Sequence, residues 1–319
     1  MPAANRSIGI SEIFPGESKN EMNRGILSGL GAYLLWGLFP VYWKLLQHVP
    51  ALQLLGHRIG WSFLLLVGIL LVTRQWNDFY AHLNRKMIRI YSFAAVLIAI
   101  NWLIYVWAVN AGHIVETSLG YFINPLLSVF LGVMVLRERL RPAQWAPIGL
   151  AALGVTYLTL RHGRLPWIAL ALAFSFALYG LVKKLAPLGS LYGLTLETGL
   201  LFLPALGYLI ASEMRGQGVF LHSGWESDLL MFGAGVVTTV PLLLFASAAR
   251  AIPLTVIGLL QYIAPTLQFL LGVLVYHEPL DQTRLIGFSL VWLALIIFWM
   301  ENYLSHRAHP EPTPKLGEG

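Results

Sequence analysis

The chain has 319 residues and a formal net charge of +6; 57% of the residues are hydrophobic and only 11% are charged. Because a soluble domain carries about 25% charged residues, this composition excludes an ordinary soluble protein. The absence of cysteine excludes disulfides, thiol nucleophiles and thiolate metal sites.

The first segment, residues 1–23, is polar and lacks the basic-then-apolar order of a signal peptide. We predict a disordered cytoplasmic tail there, with Met22 as a second candidate start site because the apolar pattern begins directly after it. The last segment, residues 303–319, contains Pro310, Pro312 and Pro314 and no apolar run, so a second disordered cytoplasmic tail is predicted.

Between the tails, apolar blocks recur at the length that a helix needs to cross about 30 Å of hydrocarbon. Helices are expected because lipid offers no hydrogen-bonding partner to the backbone. The sequence predicts an all-α membrane protein with ten transmembrane helices, at about 25–43, 52–72, 88–109, 114–136, 142–160, 165–182, 190–211, 228–249, 253–276 and 282–300.

The loops between these spans carry an uneven distribution of positive charge. With both termini placed in the cytoplasm, fifteen Lys and Arg residues lie on the cytoplasmic side and five on the outer side. Such a bias predicts cytoplasmic termini and a multi-pass protein of the bacterial inner membrane. Because the basic residues lie in short loops, the net charge indicates a membrane protein and no nucleic-acid partner.

An internal repeat divides the chain. Residues 123–140 and 263–280 are identical at nine of eighteen positions, including the pairs Pro125/Pro265, Gly132/Gly272 and Glu138/Glu278. The two repeats are predicted to cover residues 24–160 and 165–302, with five helices each. Since five is odd, the second repeat is inserted upside down, as in carriers that work by alternating access. Duplication within a structural protein is the simpler alternative.

Several segments resemble a known family. They are NWLIYVWAVNAGHIVETSLGYFINPL (101–126), LLWGLFPVYWKLL (34–46), HRIGWS (57–62), LYGLTLETGLLFLP (191–204) and the second-half segment 259–280. Together they resemble the RarD subfamily of the EamA family, in the drug/metabolite transporter superfamily, over about residues 23–302.

The resemblance implies ten helices in two EamA repeats, cytoplasmic termini and a central cavity between the halves. Relatives export amino acids, other metabolites and drugs, and the RarD label is attached to chloramphenicol sensitivity or resistance, which is a phenotype. No residue-level substrate site is carried over from the subfamily.

Ionisable side chains within the spans cost several kcal/mol unless they are paired or hydrated. Two sets lie at opposite faces: an outer set of His57, Arg58 and Glu116, and an inner set of Glu197, Arg250 and Lys184. Within each set we expect ion pairs, and each set is predicted to gate one side and to offer sites for proton coupling. The alternative is that these side chains extend to the membrane interface. At the span ends, Glu138 and Glu278 are predicted to form interfacial pairs with neighbouring basic residues.

Glu116 is expected to pair with Arg58 or His57, and Glu197 with Arg250 or Lys184.

Polar residues at mid-depth are predicted to surround a substrate cavity, near prolines that free backbone carbonyls. They are Asn101, Tyr105, Asn124, Ser175, Thr238, Thr239, Gln261 and Gln268. Stacking faces for a planar ligand are offered by Trp36, Trp102, Trp107, Tyr121, Tyr179 and Tyr262. The alternative is that the polar side chains only tie helices together and that the aromatic ones face lipid.

Two classes of function remain open. The first is a secondary transporter, with export as the expected direction, that carries small metabolites or drugs. Its expected partners are the solute, membrane lipid and, in one version, protons. The second is a non-transporting membrane enzyme or assembly factor. Neither a phosphate-binding GxxxxGK[ST] loop nor an HExxH motif occurs in the sequence, so no catalytic residue, metal or cofactor is predicted. A homodimer is an open alternative to a monomer.

Overall fold

The computed structural model describes residues 19–111, 113–162, 166–277 and 282–308, and within these ranges it is helical and contains no strand. Eight segments are long and apolar enough to cross a membrane, and they coincide with eight of the ten predicted spans. The other two spans fall on helices with shorter apolar stretches, Leu119–Met134 and Leu285–Phe298.

The helices, numbered in chain order, are α1 (Lys19–Leu45), α2 (Ala51–Val72), α3 (Trp76–Ala81), α4 (Arg85–Asn110), α5 (Ile114–Met134), α6 (Trp145–His162), α7 (Trp167–Leu185), α8 (Ser190–Met214), α9 (Trp225–Ala251), α10 (Leu254–Gln261), α11 (Ile263–Leu270) and α12 (Gln282–Ala308). A 3-10 turn, Pro142–Gln144, precedes α6, and a π-helical turn, Leu271–Val275, follows α11.

Two boundaries differ from the prediction. Helix α1 already begins at Lys19 and α12 continues to Ala308, so the predicted tails are wrong where they overlap these helices. Polar residues continue a helix beyond the apolar stretch because most of them are adequate helix formers. The remaining parts of both tails lie outside the described residues.

The ninth predicted span is interrupted. Helix α10 ends at Gln261, four residues before Pro265, and α11 begins after a single turn residue, Tyr262. Proline lacks a backbone N–H, and its ring clashes with the carbonyl four residues earlier. The break therefore follows directly from the position of Pro265.

The helices pack across the two halves of the sequence. Helix α1 contacts α9 and α11, α2 contacts α8 and α9, α4 contacts α7 and α8, α5 contacts α7 and α10, and α6 contacts α12. A Cβ atom placed on Gly25 would lie 2.7 Å from Ile252 Cγ2, so α1 begins beside the end of α9. We call this end of the bundle the terminal end and the opposite one the distal end.

Two cations join helix ends at the terminal end. Lys184, near the end of α7, donates to the carbonyl of Ile252 at 2.8 Å, just past α9. In return Arg250, near the end of α9, donates to the carbonyls of Ala186 at 2.7 Å and Leu188 at 2.6 Å, just past α7. The last carbonyls of a helix have no intrahelical partner and carry partial negative charge. Each helix thus caps the other.

Glu138 holds the start of α10. Its carboxylate is 6% exposed and accepts hydrogen bonds from the backbone N–H of Leu254 at 2.7 Å and of Thr255 at 2.9 Å. A Cβ atom at Gly132 would lie 2.5 Å from Glu138 Oε2, so the glycine of the repeat motif leaves room for the carboxylate. The predicted pairing of Glu138 with neighbouring basic residues is wrong, because the unsatisfied N–H groups of a helix N-terminus attract it. Its repeat mate, Glu278, lies outside the described residues.

We predict that Glu138→Ala lowers the thermal midpoint of the detergent-solubilised protein. The substitution removes two charge-assisted hydrogen bonds and leaves buried N–H groups without a partner, at a cost of about 1–3 kcal/mol. Tryptophan fluorescence during heating measures it. The matched control is Arg139→Ala, at an exposed site in the same turn. An equal loss in both variants would contradict the capping role.

Candidate functional site

A cavity of about 260 Å³ lies inside the bundle, between helices of both halves of the chain. The helices that supply its wall are α1, α2, α4, α5, α7, α9, α10 and α11. The structure places most of the predicted cavity residues in this wall, namely Trp36, Asn101, Tyr105, Asn124, Thr238, Gln261 and Gln268. Trp102 and Tyr121, predicted as stacking faces, are also there.

Helix α1 contributes a continuous stripe to the wall. Tyr33, Trp36, Pro40 and Trp43 follow one another at intervals of three or four residues, which is the spacing of a single helix face. Tyr33 and Trp43 were not among the predicted cavity residues, although this spacing from Trp36 was present in the sequence. Since the stripe occupies the second part of α1, the cavity lies towards the distal end.

Arg58 lies in the wall of the cavity. Its Nε donates to Thr238 Oγ1 at 3.0 Å, and its guanidinium carbon lies 4.7 Å from the ring centre of Trp43 and 5.0 Å from that of Trp102. Among the described residues of the wall it is the only side chain that is charged at neutral pH, and no carboxylate of these residues lies within 4.0 Å of it. Its predicted partner Glu116 has a side chain outside the described residues.

Several polar groups of the wall also join helices. Asn101 donates through Nδ2 to the carbonyl of Leu172 at 2.9 Å and to Ser175 Oγ at 3.0 Å. In the second half, Gln261 Oε1 accepts from Ser128 Oγ at 3.0 Å. The two predicted roles, lining a cavity and tying helices together, therefore coincide in the same side chains.

Gln268 Nε2 likewise donates to the carbonyl of Trp36 at 3.1 Å. Two other polar atoms of the wall have no protein partner, the hydroxyl of Tyr33 and Oδ1 of Asn124. Both residues are buried, at 2% and 5% exposure. Buried polar atoms without a partner are costly, and these two lie behind the surface of the wall, inaccessible to water.

Three predicted cavity residues lie outside the wall, namely Ser175, Thr239 and Tyr179. Thr239 follows Thr238 directly, and a step of one residue turns the helix by about 100°, so Thr239 faces the packed interior instead. Tyr179 is fully buried and stacks on Phe245, with ring centres 6.0 Å apart. Its ring belongs to an aromatic cluster with Phe176, Trp36 and Tyr33 that fills the bundle on the terminal side of the cavity.

Of the other predicted stacking residues, Trp107 is 47% exposed and packs on Trp167, on the outside of the bundle. Tyr262 is buried and donates to the carbonyl of Phe122 at 3.3 Å. Neither belongs to the cavity wall.

A buried ion pair lies beyond this aromatic cluster. Lys183 Nζ contacts Glu197 Oε1 at 2.8 Å, and Tyr179 donates to Glu197 Oε2 at 2.9 Å. Both charged residues are nearly inaccessible, at 3% and 1% exposure. We define these three residues as the buried triad.

The predicted partners of Glu197, Lys184 and Arg250, are therefore wrong. Consecutive lysines on a helix point about 100° apart. Lys183 faces the bundle interior and reaches Glu197, whereas Lys184 points to the end of α9. Arg250 donates to the carbonyls past α7.

His57 lies near the cavity without lining it. Its ring packs on Phe220 with ring centres 4.9 Å apart and is 8% exposed. The predicted outer set is therefore divided, with Arg58 in the cavity wall and His57 under a distal loop. Within the described ranges, no group of three His, Asp or Glu side chains could hold a metal ion.

Comparison with known proteins gives consistent results. The sequence profile of the EamA-like transporter family matches residues 23–160. Protein RarD of Streptomyces exfoliatus is 48% identical over 88% of this chain and 90% of its own length. A Bacillus subtilis protein named uncharacterized transporter YojE is 45% identical over 90% of this chain and 97% of its own length.

The fold is also similar to that of solved structures. One crystal structure, titled only as that of a protein, superposes with a TM-score of 0.64 over 88% of this chain and 98% of the other. At 17% sequence identity, this likeness concerns the fold alone.

Proposed function

The chain belongs to the RarD subfamily of the EamA-like transporter family, and we propose on this premise that it carries a small organic solute across the bacterial inner membrane by alternating access. The observation that carries the proposal is the cavity inside the bundle, whose described wall combines aromatic faces, amide groups and one guanidinium among apolar helices. Polar groups are costly in hydrocarbon, so a cavity rich in them is a functional site by default. The proposed direction is export.

The proposed mechanism needs two inverted five-helix halves, residues 24–160 and 165–302, and the packing pattern supports them. In an exchange of the halves, α1 corresponds to α7, α2 to α8, α4 to α9, and α5 to the interrupted helix α10–α11. The α1–α9 contact then corresponds to α7–α4, the α2–α9 contact to α8–α4, and the α5–α7 contact to α11–α1. Each of these contacts is present, so these main contacts between the halves recur in exchanged form, although the α7–α9 contact has no α1–α4 counterpart of similar extent. Two halves that share one set of contacts can exchange conformations about a central cavity.

The alternative of a membrane enzyme receives less support from this cavity. General acid–base or nucleophilic catalysis needs two or more reactive groups within hydrogen-bonding reach of each other. Among the residues that the structure describes, the wall holds a single charged side chain and neither a histidine nor a carboxylate. Such a wall can bind and orient a solute.

We expect purified protein in liposomes to accumulate or release radiolabelled solutes from a panel of metabolites and drugs that includes chloramphenicol. Thr238→Val should slow transport about tenfold or more, since Arg58 loses a hydrogen bond worth about 1.5–3 kcal/mol. Thr239→Val, one residue away and outside the wall, is the matched control. No transport above empty liposomes would contradict the proposal. Repeating the assay with a pH gradient tests the predicted proton coupling.

The proposed topology places the terminal end, with both chain termini, in the cytoplasm. The chain has no cysteine of its own, so single cysteines report accessibility directly. Ser223→Cys, in an exposed distal loop, should react with a membrane-impermeant thiol reagent in intact cells. Lys86→Cys, exposed near the terminal end, should react only after permeabilisation. Reaction of both residues from the same side would exclude the inverted arrangement.

The gate assignment is proposed in revised form, with the buried triad closing the terminal end together with the helix caps of Arg250 and Lys184. Glu197→Gln leaves Lys183 as a buried charge without a partner, which costs about 3–5 kcal/mol in the state that buries it. We expect the equilibrium to shift towards a state open at the terminal end.

Leu242→Cys, in the cavity wall, should then react more slowly from the distal side, and adding Lys183→Met should restore part of the loss. Glu213→Gln, in an exposed pair with His222, is the matched control. Unchanged reactivity of Leu242→Cys in the Glu197→Gln protein would show that the triad only anchors helices.

A further inference from the structure

Arg58 brings an unbalanced positive charge to the cavity. Its Nε is bonded to Thr238, whereas its two terminal nitrogens form no hydrogen bond with any described residue. Among the described residues, the wall contains no carboxylate. A cation partly withdrawn from water without a counter-ion is costly, and an anion within reach removes most of that cost.

The guanidinium is also fixed in orientation. The indole ring centres of Trp43 and Trp102 lie 4.7 Å and 5.0 Å from its central carbon, and the hydrogen bond to Thr238 fixes its Nε. The planar fork of an arginine matches the two oxygens of a carboxylate when it is held in this way. The arrangement is therefore that of a prepared carboxylate site rather than of a flexible surface arginine.

The remainder of the wall fits an uncharged, flat body. Its lining includes several aromatic side chains, among them Tyr33, Trp36, Tyr105, Tyr121 and Phe176. An ammonium group would find no carboxylate among the described residues of the wall.

From these contacts we infer that the cavity binds a small organic monocarboxylate with an aryl or similarly flat body, its carboxylate on the terminal nitrogens of Arg58 and its body against the aromatic wall. The inference rests on the proposed function and names the class of solute carried. The volume of about 260 Å³ is close to the lower end of the range of about 300–1,000 Å³ for small-molecule pockets, which suits a small solute.

Four probes with one body test the charge preference on the unaltered protein: 3-phenylpropanoate, 3-phenylpropanamide, 3-phenylpropylamine and phenylalanine. Binding is measured in detergent by tryptophan fluorescence and by thermal shift. We expect the carboxylate to bind about tenfold or more tighter than the amide, as a charge-assisted bidentate contact implies. The amine and the zwitterion should bind more weakly than the carboxylate. Equal or tighter binding of the amide or the amine, or no binding of the carboxylate at millimolar concentration, would overturn the inference.

Variants then locate the contact. Arg58→Gln should reduce the affinity for 3-phenylpropanoate to that of the amide and leave the affinity for the amide itself little changed. Arg58→Lys should recover part of the difference, because it restores the charge without the fork. Arg85→Gln, at an exposed site outside the cavity, is the matched control. Full carboxylate preference in a folded Arg58→Gln protein would also overturn the inference.

The outcomes separate this inference from the proposed function. Arg58-dependent binding of the carboxylate without its transport in liposomes would refute the carrier and leave the binding site in place. Transport of the amide or amine in preference to the carboxylate would support the carrier and refute the anion site.

Discussion

The reciprocal capping between α7 and α9 is the constraint on which the rest of the structure depends. A helix that ends in an apolar bundle leaves carbonyl groups that neither lipid nor its own turns can satisfy. Lys184 and Arg250 satisfy them across the gap, and Glu138 satisfies the opposite need at the start of α10. These contacts hold three helix ends together at the terminal end, and the cavity lies towards the distal end.

Much of this architecture follows from the sequence, because length and hydropathy determine where the chain crosses the membrane. The position of a residue along its helix was predicted better than its direction: Glu197, Lys184 and Arg250 all lie towards the terminal end. The direction in which a side chain points around its helix was not predicted, since a shift of one residue turns that direction by about 100°. Lys183 rather than Lys184 meets Glu197, and Thr238 rather than Thr239 meets the cavity, for this one reason.

Other features of the site depend on contacts that no local pattern records. Glu138 stands beside arginines in the sequence but binds the backbone of residues more than a hundred positions later. Arg58 was predicted from its depth as part of a gate, and only the approach of α1, α4 and α9 shows that two indoles and a threonine hold it in the cavity wall. The α1 stripe is the exception, since its spacing was there to be found.

The guanidinium of Arg58 in the cavity wall has a consequence for how membrane voltage would act on the proposed carrier. When access to the cavity changes from one side to the other, a charge fixed in its wall changes from one electrical potential to the other, which is worth up to about 2.3 kcal/mol per elementary charge at 100 mV. With a negative cell interior, the empty cavity therefore favours facing the cytoplasm. Once an anion neutralises Arg58, the voltage no longer biases the loaded cavity. In the proposed carrier, an empty cavity drawn inwards and a loaded one free to turn outwards would together make the membrane potential a driving force for the proposed export.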